Sequence, residues 1–419
     1  MLELWFDFSC PYAYLASQRA KTLGVPIDWR PMLLGGVFRG IGAGDGPMAS
    51  QSAAKAAHNL ADIRRWAARF DVPLRIPASH PMRTVRALRV LLGLPHARWP
   101  AAIDAIYAAY WQRGEDVTSD DVLATALRGA GISEPEIATA LAADTADALR
   151  RRTDEAIGLG LFGAPAWIVR RTGREPIVIW GQDRLAFVEA TLAGWDPEAG
   201  PPPGGPRPLA IATPARAGAT LDVYFDVSSP FAYFGLTQLP AIAAMGVVPR
   251  LVPILLGALF RDIGTPDAPL LTFPAPKIRY LNLDMQRWGR WLGQPFVPPS
   301  KFPQRTVTAQ RLALLALESG FEPGLRLATA LGRAMWGEQR DIEDAATLRE
   351  ILERERFPAA LLERTQEPPI KAQLAANTAA ARAANVFGVP TFVVDGSQLF
   401  WGQDRLELVA ASLAAAAAE

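Results

Sequence analysis

Phe6-Asp7-Phe8-Ser9-Cys10-Pro11-Tyr12-Ala13-Tyr14 reappears further along the chain as Phe225-Asp226-Val227-Ser228-Ser229-Pro230-Phe231-Ala232-Tyr233. Other segments return in the same order. Leu33-Leu34-Gly35 returns as Leu255-Leu256-Gly257, and Arg83-Thr84-Val85, two residues after a proline, as Arg305-Thr306-Val307. Phe162-Gly163-Ala164-Pro165 returns as Phe387-Gly388-Val389-Pro390, and the run from Trp180 to Leu185 returns unchanged from Trp401 to Leu406. Each pair is separated by about 220 residues, so the chain is a tandem duplication of a unit of roughly 200 residues. Between the copies, Pro197, Pro201-Pro202-Pro203-Gly204-Gly205-Pro206, Pro208 and Pro214 interrupt helix and sheet alike. We therefore expect one domain over 1–196, a semi-rigid surface linker over 197–218 and a second domain over 219–419.

Composition narrows the function classes. Of 419 residues, 50% are hydrophobic and 20% charged, enough to fill a core and too apolar for a disordered chain. The 43 Lys and Arg against 42 Asp and Glu leave a formal charge of +1, with no basic surplus for phosphate contacts, so nucleic acid is not an expected partner. The single cysteine, Cys10, rules out an intrachain disulfide, and with only three histidines no Cys/His metal site is expected. No apolar run approaches the roughly 20 residues of a membrane span, and the first residues do not read as a secretory leader. No membrane partner and a cytoplasmic location are the expectations.

Within a copy, Leu2–Phe8 is a short apolar and aromatic run, read as a buried strand, with Pro11 placed where a helix would begin. Ile27–Met32 reads as a second strand. A long Ala-, Leu- and Arg-rich region follows, with Leu281, Asp284, Trp288 and Trp291 at helical spacing. Ile168–Val169 and Ile177–Trp180 read as a β-hairpin, and the last helix is expected to start near Asp183, an acceptable N-cap. Strand, helix, strand, helical insertion, two strands and a helix make an α/β layered unit.

Two local signals bear on chemistry. Cys10 and Ser229 each precede a proline at a strand-to-helix turn. The free N–H groups and partial positive charge of a helix start favour an anion there, so a thiol should gain thiolate character and a hydroxyl could donate to a bound thiolate. The alternative is that both are plain N-caps. The second signal is a proline opening a strand, at Pro165 and Pro390, which suggests special backbone such as a cis peptide able to pair with an extended peptide. An ordinary edge-strand proline is the competing reading. His58, His80 and His96 have no partner cluster in the sequence and are read as structural.

The ordered set resembles the 2-hydroxychromene-2-carboxylate isomerase family, which groups with the kappa-class glutathione transferases and the DsbA oxidoreductases. It comprises Asp226, Ser229-Pro230-Phe231 and Tyr233; Lys277, Tyr280-Leu281, Asp284 and Arg287-Trp288; Met335 to Glu338; Asn377-Thr378; Val386 to Thr391; and Trp401 to Arg405. The resemblance implies two tandem thioredoxin-like domains, each with a helical insertion, and glutathione as cofactor. It implies that Ser229 donates to the glutathione sulfur, that Val389 and Pro390 pair with the glutathione backbone, and that Gln403 and Asp404 hold its γ-glutamyl end. Lys277 and Asn377 match polar positions near that site. In copy one the corresponding residues are Cys10, Ala164, Pro165, Gln182 and Asp183. The implied reaction is cis-trans isomerisation of an aromatic-degradation intermediate by reversible thiolate addition, with no metal. Single-length relatives pair, so an intrachain pseudo-dimer is implied, with a homodimer of chains left open.

Copy one departs from this pattern. It has Arg152 where copy two has Asn377, Ala166-Trp167 where copy two has Thr391-Phe392, and Cys10-Pro11-Tyr12-Ala13 in place of a Cys-Pro-x-Cys redox motif. Copy two lacks an asparagine in Thr272–Pro276, where the resemblance implies a polar contact. Two alternatives stay open: a kappa-type glutathione transferase or peroxidase using Cys10, and a non-catalytic thioredoxin-fold binding protein. The departures single out copy two as the working site and copy one as weakened.

Overall fold

In the computed structural model, which describes residues 1–44, 46, 51–266 and 269–415, each sequence copy builds a four-stranded mixed sheet. The first sheet contains β1 (Leu2–Phe6), β2 (Ile27–Pro31), β3 (Ala166–Val169) and β4 (Ile177–Trp180) in the order β2-β1-β3-β4. The second contains β5 (Leu221–Phe225), β6 (Arg250–Pro253), β7 (Thr391–Val394) and β8 (Gln398–Trp401) in the order β6-β5-β7-β8. The first two strands of each sheet are parallel, joined by the helix Pro11–Ala20 or Pro230–Ala243, and the last two form an antiparallel hairpin. This is the thioredoxin-like α/β arrangement expected from the sequence. The central strands β1 and β3 are buried along their whole length, which is why they read as continuous apolar runs, whereas the edge strand β4 alternates.

The repeated motifs are explained by one device used twice. Asp7 ends β1, accepts from the Ser9 and Leu34 amides at 3.0 and 2.8 Å, and accepts from the Thr84 hydroxyl. Asp226 accepts from the Ser228 and Leu256 amides at 2.9 and 2.8 Å, with the Thr306 hydroxyl again bonded to it. One carboxylate thus ties the strand end to the helix starting at Leu34 or Leu256 and to the helix that follows Thr84 or Thr306. Burial raises the pKa of both carboxyls even though these hydrogen bonds oppose it.

The helical insertions between β2 and β3 and between β6 and β7 are fastened to the same turns. Trp111 Nε1 donates to Phe8 O and Trp336 Nε1 to Val227 O, each at 2.8 Å. These are the carbonyls just before Cys10 and Ser229, so the insertion sets the position of the turn that carries the candidate site.

The chain divides into two compact units that differ from the sequence boundaries in an informative way. The first comprises Met1–Gln51, Asn59–Trp195 and Phe273–Arg279; the second comprises Ser52–His58, Asp196–Thr272 and Tyr280–Glu419. The helices Ala53–Arg69 and Ala275–Leu292 each begin in one unit and continue in the other. The proline-rich segment belongs to the second unit and packs on it. Arg290 donates to Pro197 O at 2.6 Å, Arg287 pairs with Glu198 at 2.9 Å, and the Arg207 amide donates to Trp291 O at 2.6 Å. Pro201 and Pro206 line a groove of about 380 Å³ with Gly289, Gly293 and Phe296. Among the described residues no helix is long and apolar enough to cross a membrane.

Candidate active site

In the second unit, Ser229 is the N-cap of the helix Pro230–Ala243, with Pro230 at its first position. Its Oγ accepts from the Ala232 amide at 3.3 Å and donates to Val389 O at 3.1 Å. The Val389–Pro390 peptide is cis, as is Ala164–Pro165 in the first unit. The structure therefore brings Ser229, Val389 and Pro390, distant in sequence, to one place. The capping reading holds for Ser229, and the same hydroxyl also reaches the carbonyl before Pro390.

Small residues permit this approach. A Cβ on Gly235 would lie 3.2 Å from Pro390 Cγ, so the helix can come close to the loop. A Cβ on Gly388 would lie 2.7 Å from Trp401 Nε1, which any larger residue would displace.

Gln403 sits in a 3-10 turn, Gln403–Arg405, between β8 and the last helix. It is 2% exposed, and its Oε1 accepts from Gln238 Nε2 at 3.0 Å, while the same amide donates to Phe234 O at 3.1 Å. Asp404 pairs with Arg405 at 3.0 Å. Gly402 precedes them at φ +108°, and a Cβ there would meet the Asp404 carboxylate at 2.6 Å. In the first unit Gln182 and Asp183 occupy the same turn, with Asp183 paired to Arg184 at 3.3 Å. The Gln182 amide differs from its counterpart. It is 2% exposed and neither Nε2 nor Oε1 has a hydrogen bond, because the position of Gln238 is taken by Arg19, which bonds Gln182 O at 2.8 Å instead.

Two expectations are corrected, and two site residues are placed. The last helix of the first unit begins at Leu185, not Asp183; residues Gln182–Arg184 form the 3-10 turn, and the N-cap Arg184 makes no side-chain cap. Lys277 lies in the first unit, with its ammonium 3.8 Å above the Phe273 ring. Lys55 lies in the second unit, 5.2 Å over the Trp401 ring, with its pKa lowered by burial. Asn377 donates to Pro253 O at 3.1 Å, at the end of β6, and β6 lies across β5 from the strand that Pro390 opens.

The second correction concerns Cys10. Its Sγ donates to Ala164 O at 3.2 Å, the same contact that Ser229 makes, so the structure does gather Cys10, Ala164 and Pro165. Thiolate character does not follow. Burial pushes the thiol up to about 12, and the Asp7 charge adds to the rise. With the residue 8% exposed, desolvation outweighs the favourable field of the helix start. Iodoacetamide at pH 7.5 should therefore leave Cys10 unmodified in the folded chain and alkylate it after unfolding, read by intact mass. Rapid alkylation of the folded protein would refute this assignment.

Sequence reasoning gave His58 only a structural role. The structure places it 7% exposed in the second unit, where its Nε2 accepts from the Trp401 amide at 3.1 Å and its ring meets Phe387 and Trp401 edge-on. Nothing local to residue 58 signals this role, because its partners are more than three hundred residues away in sequence.

The model for the DSBA-like thioredoxin domain matches the chain over residues 1–193 and again over 220–414. The chain belongs to that family, twice over. Among curated relatives, a 2-hydroxychromene-2-carboxylate isomerase of Sphingobium xenophagum is 28% identical over 46% of this chain and 97% of its own length. One of Pseudomonas putida is 30% identical over 46% of this chain and 93% of its own length. Glutathione S-transferase kappa 1 of Rattus norvegicus is 26% identical over 46% of this chain and 90% of its own. The DSBA-like relatives thus include isomerases and kappa-class transferases, each spanning about one copy.

Proposed function

We propose that the second copy is a glutathione-dependent cis-trans isomerase of the 2-hydroxychromene-2-carboxylate type. The observation that carries the reading is the Ser229 hydroxyl at a helix start, 3.1 Å from the carbonyl before Pro390. A serine there cannot take part in dithiol redox chemistry, while its proton can be offered to a sulfur. The isomerase names of the relatives support the same reading.

The residues present suit glutathione. Ser229 offers a donor at the start of the helix Pro230–Ala243, and the carboxamide and carboxylate of Gln403 and Asp404 sit together at the turn before the last helix. Ser229, Val389 and Pro390 would hold the cysteinyl portion, and Gln403 and Asp404 the γ-glutamyl end. When bound, glutathione supplies a thiolate that adds reversibly to a conjugated alkene, so that the bond left single can rotate.

The protein's own part is electrostatic and positional. Ser229 Oγ–H turns from Val389 O toward the sulfur, and this charge-assisted hydrogen bond favours the anion over the thiol. The helix start adds its partial positive charge to the same end. The Ala232 amide, which donates to Ser229 Oγ at 3.3 Å, holds the hydroxyl oxygen in place while its proton changes partner. In the first copy the same position holds a thiol that stays protonated, with burial keeping it neutral.

Calorimetric titration of reduced glutathione into the reduced chain tests the reading. One saturable site per chain is expected, removed by changes at Gln403 and Asp404. Absence of binding at about 10 mM, a concentration that detects even affinities weaker than −4 kcal/mol, would overturn it.

A further inference from the structure

The first unit has a cavity of about 470 Å³ lined by Leu92, Trp99, Ala148, Arg151, Arg152 and Glu155. Its lining comes from the helices Val85–Gly93, Trp99–Ala108 and Ala146–Gly158, and neither Cys10 nor Gln182 contributes to it. We propose that this cavity binds a small aromatic carboxylate, with the carboxylate on the Arg152 guanidinium and the ring against Trp99 and Leu92. The proposal stands apart from the isomerase reading and does not depend on it.

Arg152 is the reason. Its guanidinium lies 5.8 Å over the Trp99 ring, and its Nη1 is excluded from solvent without a hydrogen bond. The acids around it are already engaged. Arg30 reaches Asp28 at 2.6 Å, Glu3 at 3.6 Å and Glu155 at 3.9 Å, and Arg170 also pairs with Glu3. Arg152 is thus a partly desolvated cation beside another cation, Arg30, and burial together with that repulsion lowers its pKa against the opposing charges of Glu155, Asp28 and Glu3. Arg151 adds a second, exposed positive charge at the rim. A planar guanidinium with spare donors matches a carboxylate bidentately. The apolar wall and the volume suit a ligand of one or two rings.

The second copy provides an internal contrast. The positions of Ala148, Arg151, Arg152 and Glu155 are Gln373, Ala376, Asn377 and Ala380 there, and that of Arg30 is Val252. Arg30, Arg151, Arg152 and Glu155 are therefore charges of the first copy alone. Asn377 instead spends its amide on Pro253 O. Divergence after duplication has put charge at a place where its twin has none.

The probe is 1-naphthoate, titrated calorimetrically into the full chain. One saturable site is expected, unchanged in Ser229→Ala and weakened by roughly ten- to a hundred-fold in Arg152→Asn, the range for a charged hydrogen-bonding partner. Arg152→Lys, which keeps the charge and loses the fork, should weaken it less and serves if Arg152→Asn melts below the assay temperature. 1-Naphthylmethanol should not bind. Binding unchanged in both Arg152 variants, a site lost in Ser229→Ala, equal affinity for inorganic phosphate, or no saturation would each overturn the proposal.

Discussion

Ser229→Ala is expected to lower the proposed glutathione-dependent isomerisation of 2-hydroxychromene-2-carboxylate by about 10²- to 10³-fold in kcat/KM, the usual loss when one preorganised donor to a developing anion is removed. The fold should survive, because the lost cap costs only about 1 kcal/mol. The hydroxyl now spans Ala232 N and Val389 O, and Val389 O stays without its donor in the variant. Cys10→Ala in the first copy should leave activity nearly intact, since a thiol raised to about 12 carries almost no charge at neutral pH. The measurement is the absorbance change of the isomerisation at saturating glutathione for both variants. The reverse pattern, with Cys10→Ala inactive and Ser229→Ala active, would move the working site to the first copy.

The largest stability effect is expected at Trp336. Its side chain is 4% exposed, stacks on Phe296 at a centroid distance of 6.1 Å and meets Phe302 at 5.7 Å. Its Nε1 donates to Val227 O, in the turn that presents Ser229. Trp336→Ala removes the packing and the donor together, and a loss of about 3–5 kcal/mol follows for emptying such a site. Trp336→Phe keeps most of the volume but strands the Val227 carbonyl, for about 1–3 kcal/mol. Urea unfolding of the chain, followed by far-UV circular dichroism, distinguishes them. Trp336→Phe should also raise the KM for glutathione while the chain remains folded, since the turn it anchors carries Ser229. Equal stability of Trp336→Phe and the parent would show that the hydrogen bond has no net value here.

Trp111 makes the matching bond to Phe8 O in the first copy, so the corresponding pair of variants repeats the experiment on the other turn. In the sequence Trp336 stands out only as part of the Met335–Glu338 motif, and Trp111 has no such mark. Their work as anchors depends on carbonyls more than a hundred positions away.

Much of the fold and part of the site could be read without coordinates, for a physical reason. The duplication, the strand patterns, the prolines at helix starts and the residues flanking Pro165 and Pro390 are local signals, and repetition raised each of them above chance. Ser229, Val389 and Pro390 adjoin because strand–helix turns and strand-opening prolines fall at one end of a thioredoxin-like sheet. Other features are set by packing between segments far apart in the chain. Burial decides that the Cys10 thiol stays protonated, although its place at a helix start argues for the opposite. Compactness decides that Lys277 belongs with the first unit and Lys55 and His58 with the second, although the sequence boundaries place them the other way. The unbonded Gln182 amide and the stranded Arg152 cation are likewise statements about which partners are already taken. Local patterning by itself determined the duplicated architecture and the chemistry available at each turn. Only the tertiary structure decided which groups are charged and which lie together, because desolvation and proximity are properties of the packed molecule.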